Sequence, residues 1–184
     1  MKRKTAKEIL VDSFHEVASI KNIDKITIQD ITENCGYSIA TFYRQFQDKY
    51  DLIAWDYANQ ITQMMNQVGK NGYTWRQTLL DGLRQYQKQK DYLTNLLVHT
   101  GGHDFFIRYM SETHAAQLTA HVKRLREEDY LDKETELFIR MYCLGTACLN
   151  CEWILGKIEA TPEELADIYE RSLPEPMRQL LTEK

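Results

Sequence analysis

The 184-residue chain has few residues that interrupt helices, with only three prolines and eight glycines. The alternation of apolar and polar residues that is typical of strands is nearly absent, whereas apolar residues recur at spacings of three and four. We find no internal repeat and no low-complexity tract. The sequence therefore predicts an all-α protein of about nine or ten helices.

Long apolar runs are also missing, and none approaches the roughly 20 residues that a membrane-spanning helix needs. The basic start, Met1 to Thr5, is not followed by the apolar core of a signal peptide, because Asp12, His15 and Glu16 interrupt it. We therefore expect a cytoplasmic protein without a membrane partner.

Cysteine and histidine are scarce and do not form a ligand pattern. Cys148 and Cys151 have the gap of a metal or redox pair, but no second pair exists and the surrounding sequence reads as helix, where free Cys is commonly a small buried residue. His99 and His103 are separated by two glycines that break the helix needed to place both on one face. We also find no phosphate loop and no nucleophile beside a suitable base. We expect no metal, no cofactor and no enzymatic activity.

The formal net charge of -4 argues at first against a nucleic-acid partner. The charge is unevenly placed, however, because residues 1–50 carry a net charge of +1 and the remainder carries -5. An acidic body with a neutral-to-basic head fits a protein that touches phosphate with one end only.

A helix-turn-helix pattern runs from Thr27 to Leu52. Thr27, Ser38 and Asp48 each precede a helical segment as N-caps, and Gly36 stands in the turn, where a residue that tolerates positive φ is needed. In such a motif the second helix enters the major groove of DNA. The sequence therefore predicts double-stranded DNA as a partner.

Together with the amphipathic segment that precedes it, the pattern resembles the DNA-binding domain of the TetR family of transcriptional regulators. The matching pieces are Thr27–Ile31, Gly36–Ser38, Thr41–Tyr43, Phe46, Lys49 and Leu52. Three positions depart from the family's usual pattern: Ala40 for Gly, Gln45 for an aromatic residue and Tyr50 for an acidic one. The resemblance implies a three-helix head at residues 1–47 and a helical ligand-binding and dimerisation body at residues 48–184.

The segment from Tyr142 to Ala166 also resembles the C-terminal domain of regulators found near dihydroxyacetone kinase operons. The similar pieces are Gly145, Trp153–Gly156 and Thr161–Leu165. One member of that group is an activator that works with a partner protein, so the resemblance leaves the sign of regulation open.

The predicted DNA contacts fall into two sets. Hydroxyl and ammonium groups beside helix starts can bind phosphate, and four such residues match the family's phosphate contacts: Thr27, Thr41, Tyr43 and Lys49. The start of the second helix presents groups to base edges: Ser38, Ile39, Ala40 and Arg44. Several alternatives stay open, since Thr27 and Ser38 would cap helices in any protein, Tyr43 can pack, and Arg44 can be solvated surface.

A seven-residue rhythm marks the segment after Asp132 and predicts a dimer interface: Leu137, Met141, Leu144, Cys148, Cys151 and Leu155. A second apolar row lies beside it, so the helix must be buried on two sides. One side packs into its own chain, and the other requires a partner, for which a second copy is the simplest candidate.

Aromatic residues of the body can line a ligand pocket, although aromatic residues at helical spacing more often form core. The expected pocket residues are Tyr86, Phe105, Tyr109, Tyr142 and Trp153. We expect a homodimeric regulator of an operator, with repression released by a small molecule. Two alternatives remain, namely a body that binds a partner protein and no metabolite, and a helical interaction module that does not bind DNA.

Overall fold

The computed structural model describes residues 4–99 and 103–182, with side chains from residue 106 onward in the second range. Every regular element in these ranges is helical, which confirms the all-α prediction. A 3₁₀ helix spans Ile23–Lys25. The described residues form ten α-helices, which are α1 (Ala6–Ala18), α2 (Ile28–Cys35), α3 (Ile39–Tyr43), α4 (Lys49–Met65), α5 (Trp75–Lys88), α6 (Lys90–His99), α7 (His103–Arg126), α8 (Lys133–Ile154), α9 (Pro162–Arg171) and α10 (Glu175–Thr182).

Local capping residues fix most helix starts. At α9 the Thr161 hydroxyl accepts the Glu164 backbone N–H at 3.2 Å, while the Glu164 carboxylate accepts the Thr161 N–H at 2.8 Å. This reciprocal pair satisfies two donors that a helix start leaves without partners. Side chains cap five further helices: Thr27, Ser38 and Asp48, as the sequence predicts, and also Thr74 and Asp132.

The first three helices pack around apolar side chains that are fully buried. Phe14 of α1, Ile31 of α2 and Phe42 of α3 are inaccessible to solvent. A buried polar contact fixes α1 against α2, because the Ser13 hydroxyl donates to the Ile31 carbonyl oxygen at 2.6 Å. This hydrogen bond helps to fix the position of α2, and therefore of α3, along the axis of α1.

Helices α4 and α6 connect this head to the rest of the chain. The Asn95 amide of α6 donates to the carbonyl oxygens of Ala18 and Lys21, each at 3.1 Å, and its Oδ1 accepts the Ile23 N–H at 3.1 Å. The His15 ring of α1 bonds the Asp56 carboxylate of α4 at 2.8 Å. The buried apolar residues form one continuous cluster across residues 47 and 48, where the sequence suggested a domain boundary.

The body is built on the long pair α7 and α8, with α9 packed against α5. Helix α8 has two different faces. Ile139, Ala147 and Cys151 are fully buried against the chain's own core, whereas Leu137, Met141 and Leu144 are 53–64% exposed. Across the described ranges, no helix combines the length and apolar character that crossing a membrane requires.

Candidate DNA-binding surface, exposed α8 face and body cavity

The turn between α2 and α3 depends on Gly36, whose φ of 73° lies in the left-handed region that favours glycine. The next residue returns the chain to α2, because the Tyr37 N–H donates to the Thr32 carbonyl oxygen at 2.9 Å. Ser38 then caps α3 by accepting the Thr41 N–H at 3.1 Å. Phe42 anchors α3 in the core, so the opposite face of this short helix is directed to solvent.

The exposed residues of α3 and its ends form one surface, composed of Ser38, Ile39, Ala40, Tyr43 and Arg44. Ile39 and Tyr43 are 46% and 58% exposed, which is unusual for large apolar and aromatic side chains. Within the described part of the chain, the Tyr43 hydroxyl and the Arg44 guanidinium have no hydrogen-bond partner. Both groups are therefore available to an external ligand that offers acceptors.

Thr27 is exposed, but its side chain is already used within the head. Its hydroxyl donates to the Asp30 carboxylate at 2.8 Å and accepts the Asp30 N–H at 3.1 Å. The Lys21 ammonium, 2.6 Å from that carboxylate, together with Thr27 lowers the pKa of Asp30 to about 2. The backbone N–H groups of the first turn of α2 remain the more available donors for a phosphate.

Lys49 is placed differently from the expectation. Its ammonium donates to the carbonyl oxygens of Ile23, Asp24 and Ile26 at 2.7, 3.0 and 2.9 Å. Burial is the main cause that lowers the pKa of Lys49. An ammonium has three donors, and all three bind within the protein, so the predicted phosphate contact does not fit this arrangement. Thr41 is half-buried, and its hydroxyl lies 3.0 Å from that of Ser38.

The predicted dimer row separates into an exposed part and a buried part. Leu137, Met141 and Leu144 are exposed, and Cys148 and Leu155 are half-buried. Cys151 is fully buried, and its Sγ lies 3.7 Å from the Met110 Sδ of α7. Cys151 therefore belongs to the chain's own core and does not lie on a surface that a partner can reach.

The body contains a cavity of about 90 Å³ between α4, α5, α7, α8 and α9, and this cavity is partly open to solvent. Of the five predicted pocket residues, Tyr86 and Tyr142 line it. Tyr109 instead donates its hydroxyl to the Ala54 carbonyl oxygen, and the Trp153 indole donates to the Ala160 carbonyl oxygen at 2.8 Å. The Phe105 side chain lies outside the described residues. Trp75, His114 and Asn150 also line the cavity, although they are not among the five residues expected from the sequence.

A buried polar cluster lies beside the cavity. The Tyr57 hydroxyl is 2.7 Å from both the Tyr86 hydroxyl and the His114 Nε2. Burial lowers the pKa of His114 to about 4, so its ring is neutral near pH 7. The described residues contain no group of three His, Cys, Asp or Glu side chains that could hold a metal ion.

Comparison with known proteins agrees with this geometry. The family model of bacterial regulatory proteins of the tetR family matches residues 10–54, which cover most of α1 through the first turn of α4. Among curated proteins, the dhaKLM operon transcriptional activator DhaS of Lactococcus lactis is 19% identical over 148 residues, which are 80% of this chain and 79% of that protein.

Solved structures share the fold over nearly the whole chain. A dihydroxyacetone kinase operon activator DhaS superposes with a TM-score of 0.61 at 17% identity, covering 95% of this chain and 96% of that one. A TetR transcriptional regulator from Rhodococcus sp. RHA1 gives a TM-score of 0.66 at 14% identity, covering 91% and 93%. These relatives are transcriptional regulators and not enzymes. Residues 10–54 therefore match the family of bacterial regulatory proteins of the tetR family, and the chain as a whole shares the all-α fold of the DhaS and Rhodococcus regulators.

Proposed function

We propose that the protein acts as a homodimer that binds a near-palindromic operator through two α3 surfaces and changes its affinity for DNA when the body binds a small molecule. One observation carries the DNA part of this proposal. Phe42 is fully buried while Ile39, Tyr43 and Arg44 on the other side of α3 are open to solvent. This is the orientation that a recognition helix needs in a major groove.

The individual contacts follow from the chemistry of each exposed group. The Arg44 guanidinium can bind the O6 and N7 atoms of guanine in a bidentate manner, and Ile39 or Ala40 can contact a thymine methyl group. The Tyr43 hydroxyl and the first backbone N–H groups of α2 can donate to phosphate. We assign Lys49 to the support of this surface, because its three donors are used within the head.

The exposed face of α8 supports dimerisation. Leu137, Met141 and Leu144 follow one another at steps of four and three and form a row of exposed apolar side chains. Gly145 lies next to this row, and a Cβ atom placed there would meet no atom within 4 Å. Glycine inside a helix costs about 1 kcal/mol relative to alanine. The chain itself leaves room for a larger side chain at position 145. A helix of a second copy that approaches closely there would explain why the residue is glycine.

The relation to DhaS favours a second candidate, in which the protein activates transcription with a partner protein. DhaS is named an activator, and it is similar to this chain over most of its length. The cavity of about 90 Å³ is also small beside the roughly 300–1,000 Å³ typical of ligand pockets. A regulator that responds to a protein would show no response of its DNA binding to small molecules.

Fluorescence anisotropy with the DNA upstream of the protein's own gene tests the DNA part. We expect binding that weakens steeply with salt and a protected site with two half-sites about one helical turn apart. Arg44→Ala should reduce discrimination between this DNA and a random duplex by about tenfold. Lys70→Ala also removes one exposed positive charge, from the α4–α5 loop, and should leave discrimination unchanged. A protein that binds no duplex even at low salt would contradict the proposal.

A further inference from the structure

We propose that the body cavity binds a small uncharged molecule with a carbonyl-type oxygen, which accepts hydrogen bonds from the indole N–H of Trp75 and the side-chain amide of Asn150. This inference rests on the proposed function, because it names the chemical class to which a small-molecule-responsive body would respond. Two properties of the cavity lead to it: the absence of charge from its lining and the presence of two donors without acceptors.

The described residues that line the cavity include no Asp, Glu, Lys or Arg. The one titratable lining residue that could become charged near neutral pH is His114, and burial lowers its pKa to about 4. Most of the wall is apolar, with Ile61, Met65, Leu83 and Leu118 among its members. An ionic ligand would lose its hydration in this cavity without gaining a counter-charge, so the lining selects for a neutral molecule.

Most polar groups in the lining already bind protein atoms. The Thr78 hydroxyl donates to the Thr74 carbonyl oxygen at 3.1 Å, and the Thr146 hydroxyl donates to the Tyr142 carbonyl oxygen at 3.0 Å. The Gln117 amide likewise donates to the Thr62 hydroxyl at 2.9 Å. These groups hold the wall in place and leave few donors for a ligand.

Trp75 is the clearest exception. Its side chain is 5% exposed, and its Nε1–H is buried without an acceptor in the described structure. Burial raises the pKa of Tyr142, and the neighbouring Trp75 N–H lowers it in part, so the Tyr142 hydroxyl oxygen lies near this N–H. The two groups nevertheless do not meet the geometry of a hydrogen bond. Tyr142 instead donates its own proton to the Tyr169 carbonyl oxygen at 3.0 Å. A buried donor without a partner destabilises the empty protein, and an acceptor that fills the cavity removes that cost.

Asn150 supplies a second donor. It is 4% exposed, and its Oδ1 accepts the Tyr169 hydroxyl at 2.9 Å, which fixes the orientation of the amide. Its Nδ2 group then has no acceptor among the described residues, although Asn150 lines the same cavity as Trp75. A carbonyl oxygen has two lone pairs and can accept from both residues, whereas a hydrocarbon can satisfy neither.

The cavity volume limits the size of the ligand. An apolar cavity of about 150 Å³ binds benzene, which has six non-hydrogen atoms. By the same proportion, a volume of about 90 Å³ holds about four non-hydrogen atoms, and a molecule of up to about six can extend into the open side of the cavity. Cyclopentanone, cyclopentane and butyrate are near this size, and they can serve as probes because cyclopentane lacks the carbonyl oxygen and butyrate carries a charge.

The indole N–H resonances of the full-length protein report binding directly. The chain has three tryptophans, Trp55, Trp75 and Trp153, and Trp75→Phe identifies the Trp75 signal by removing it. Each probe is titrated at matched concentrations below the solubility limit of cyclopentane. We expect cyclopentanone to shift the Trp75 signal with a Kd of about 10 mM or below, and Trp75→Phe to weaken its binding about tenfold, as measured by ligand-detected NMR. Cyclopentane should bind both proteins equally and more weakly than the ketone, and butyrate should not bind.

Several results would overturn the inference. They are a ketone that binds no tighter than cyclopentane, a ketone whose affinity is unchanged by Trp75→Phe, butyrate that binds as well as the ketone, and no binding of the ketone at all. The comparison of cyclopentanone with cyclopentane needs only the wild-type protein, so it holds even if Trp75→Phe unfolds. Anisotropy on the same samples separates the two proposals. Protein that binds DNA but not the ketone contradicts this inference alone, and protein that binds the ketone but no DNA contradicts the proposed function.

Discussion

Lys49→Met should destabilise the protein without changing the salt dependence of DNA binding. The substitution keeps the apolar stem and removes an ammonium that donates to three carbonyl oxygens between Ile23 and Ile26. A hydrogen bond to a charged group contributes about 1.5–3 kcal/mol. Lys49 is only half-buried, and burial itself lowers its pKa. Hydration of the ammonium and the cost of its desolvation therefore offset part of the stabilisation by the three hydrogen bonds. We expect a net loss of about 2–4 kcal/mol, or a Tm lower by about 5–15 °C.

Circular dichroism during urea unfolding measures the loss of stability, and anisotropy across a salt series measures the contacts to phosphate. Lys25→Met is the matched control, since Lys25 lies in the same 3₁₀ segment but is exposed and has no ion pair among the described residues. That variant should unfold within about 0.5 kcal/mol of the wild type. The reasoning is refuted if Lys49→Met retains full stability while the salt slope falls by about 0.9 per head, because Lys49 would then be a phosphate contact.

Three further changes test other parts of the molecule. Leu144→Glu should raise the dimer dissociation constant by at least about 100-fold in sedimentation velocity, because it buries a charge in the proposed interface. Val98→Glu is the control, since Val98 is a similarly exposed apolar residue of α6, and it should leave the dissociation constant unchanged. A Leu144→Glu protein that remains a dimer would place the interface elsewhere. His114 has a pKa of about 4 in the folded protein against an ordinary value of 6.5, so the unfolded chain takes up the proton first and stability falls as pH decreases from 6.5 to 4, by at most about 3 kcal/mol. His114→Gln should flatten that dependence in unfolding curves, and an unchanged curve would assign the loss to other groups. Tyr43→Phe should weaken DNA binding about fivefold per head for every sequence, and a loss confined to one operator would indicate base contact instead.

The helix starts could be predicted because capping is local. Thr27 and Ser38 each find their backbone partner three residues later, so the chain itself contains the whole signal. The exposed face of α3 could also be predicted, because the apolar Phe42 must be buried and the opposite side of the helix then faces solvent. For these features sequence and structure give the same answer.

Contacts between distant segments could not be predicted in this way. In the sequence, Lys49 follows an N-cap, which is a position typical of a phosphate contact. Only the structure shows that its ammonium donates to the carbonyl oxygens of residues 23, 24 and 26. The buried Trp75 N–H without an acceptor also could not be predicted from the sequence, because the lack of an acceptor depends on which residues surround it in the folded protein.

Cys151 shows a limit of the heptad pattern. A straight α-helix drifts by about 20° per seven residues relative to a strict heptad, so a row that begins at Leu137 has turned by about 40° at Cys151. That rotation, together with the approach of Met110 from α7, carries the thiol into the core, while Leu144 only one heptad from the start remains exposed. The heptad pattern therefore predicted the exposed apolar row of Leu137, Met141 and Leu144, but it was wrong to include Cys151 in that row.

The contacts made by Asn95 have a consequence for dissecting the protein. The end of α1 is completed by an amide from a residue more than 70 positions further along the chain, and Asp56 of α4 binds His15 of α1. A fragment that stops at residue 47 would lose both partners and the ammonium of Lys49. We expect such a fragment to remain unfolded on its own, and the head to fail as an exchangeable module when it is joined to the body of a different regulator. For this chain, the unit that evolution or an engineer can transfer is the head together with α4 and α6.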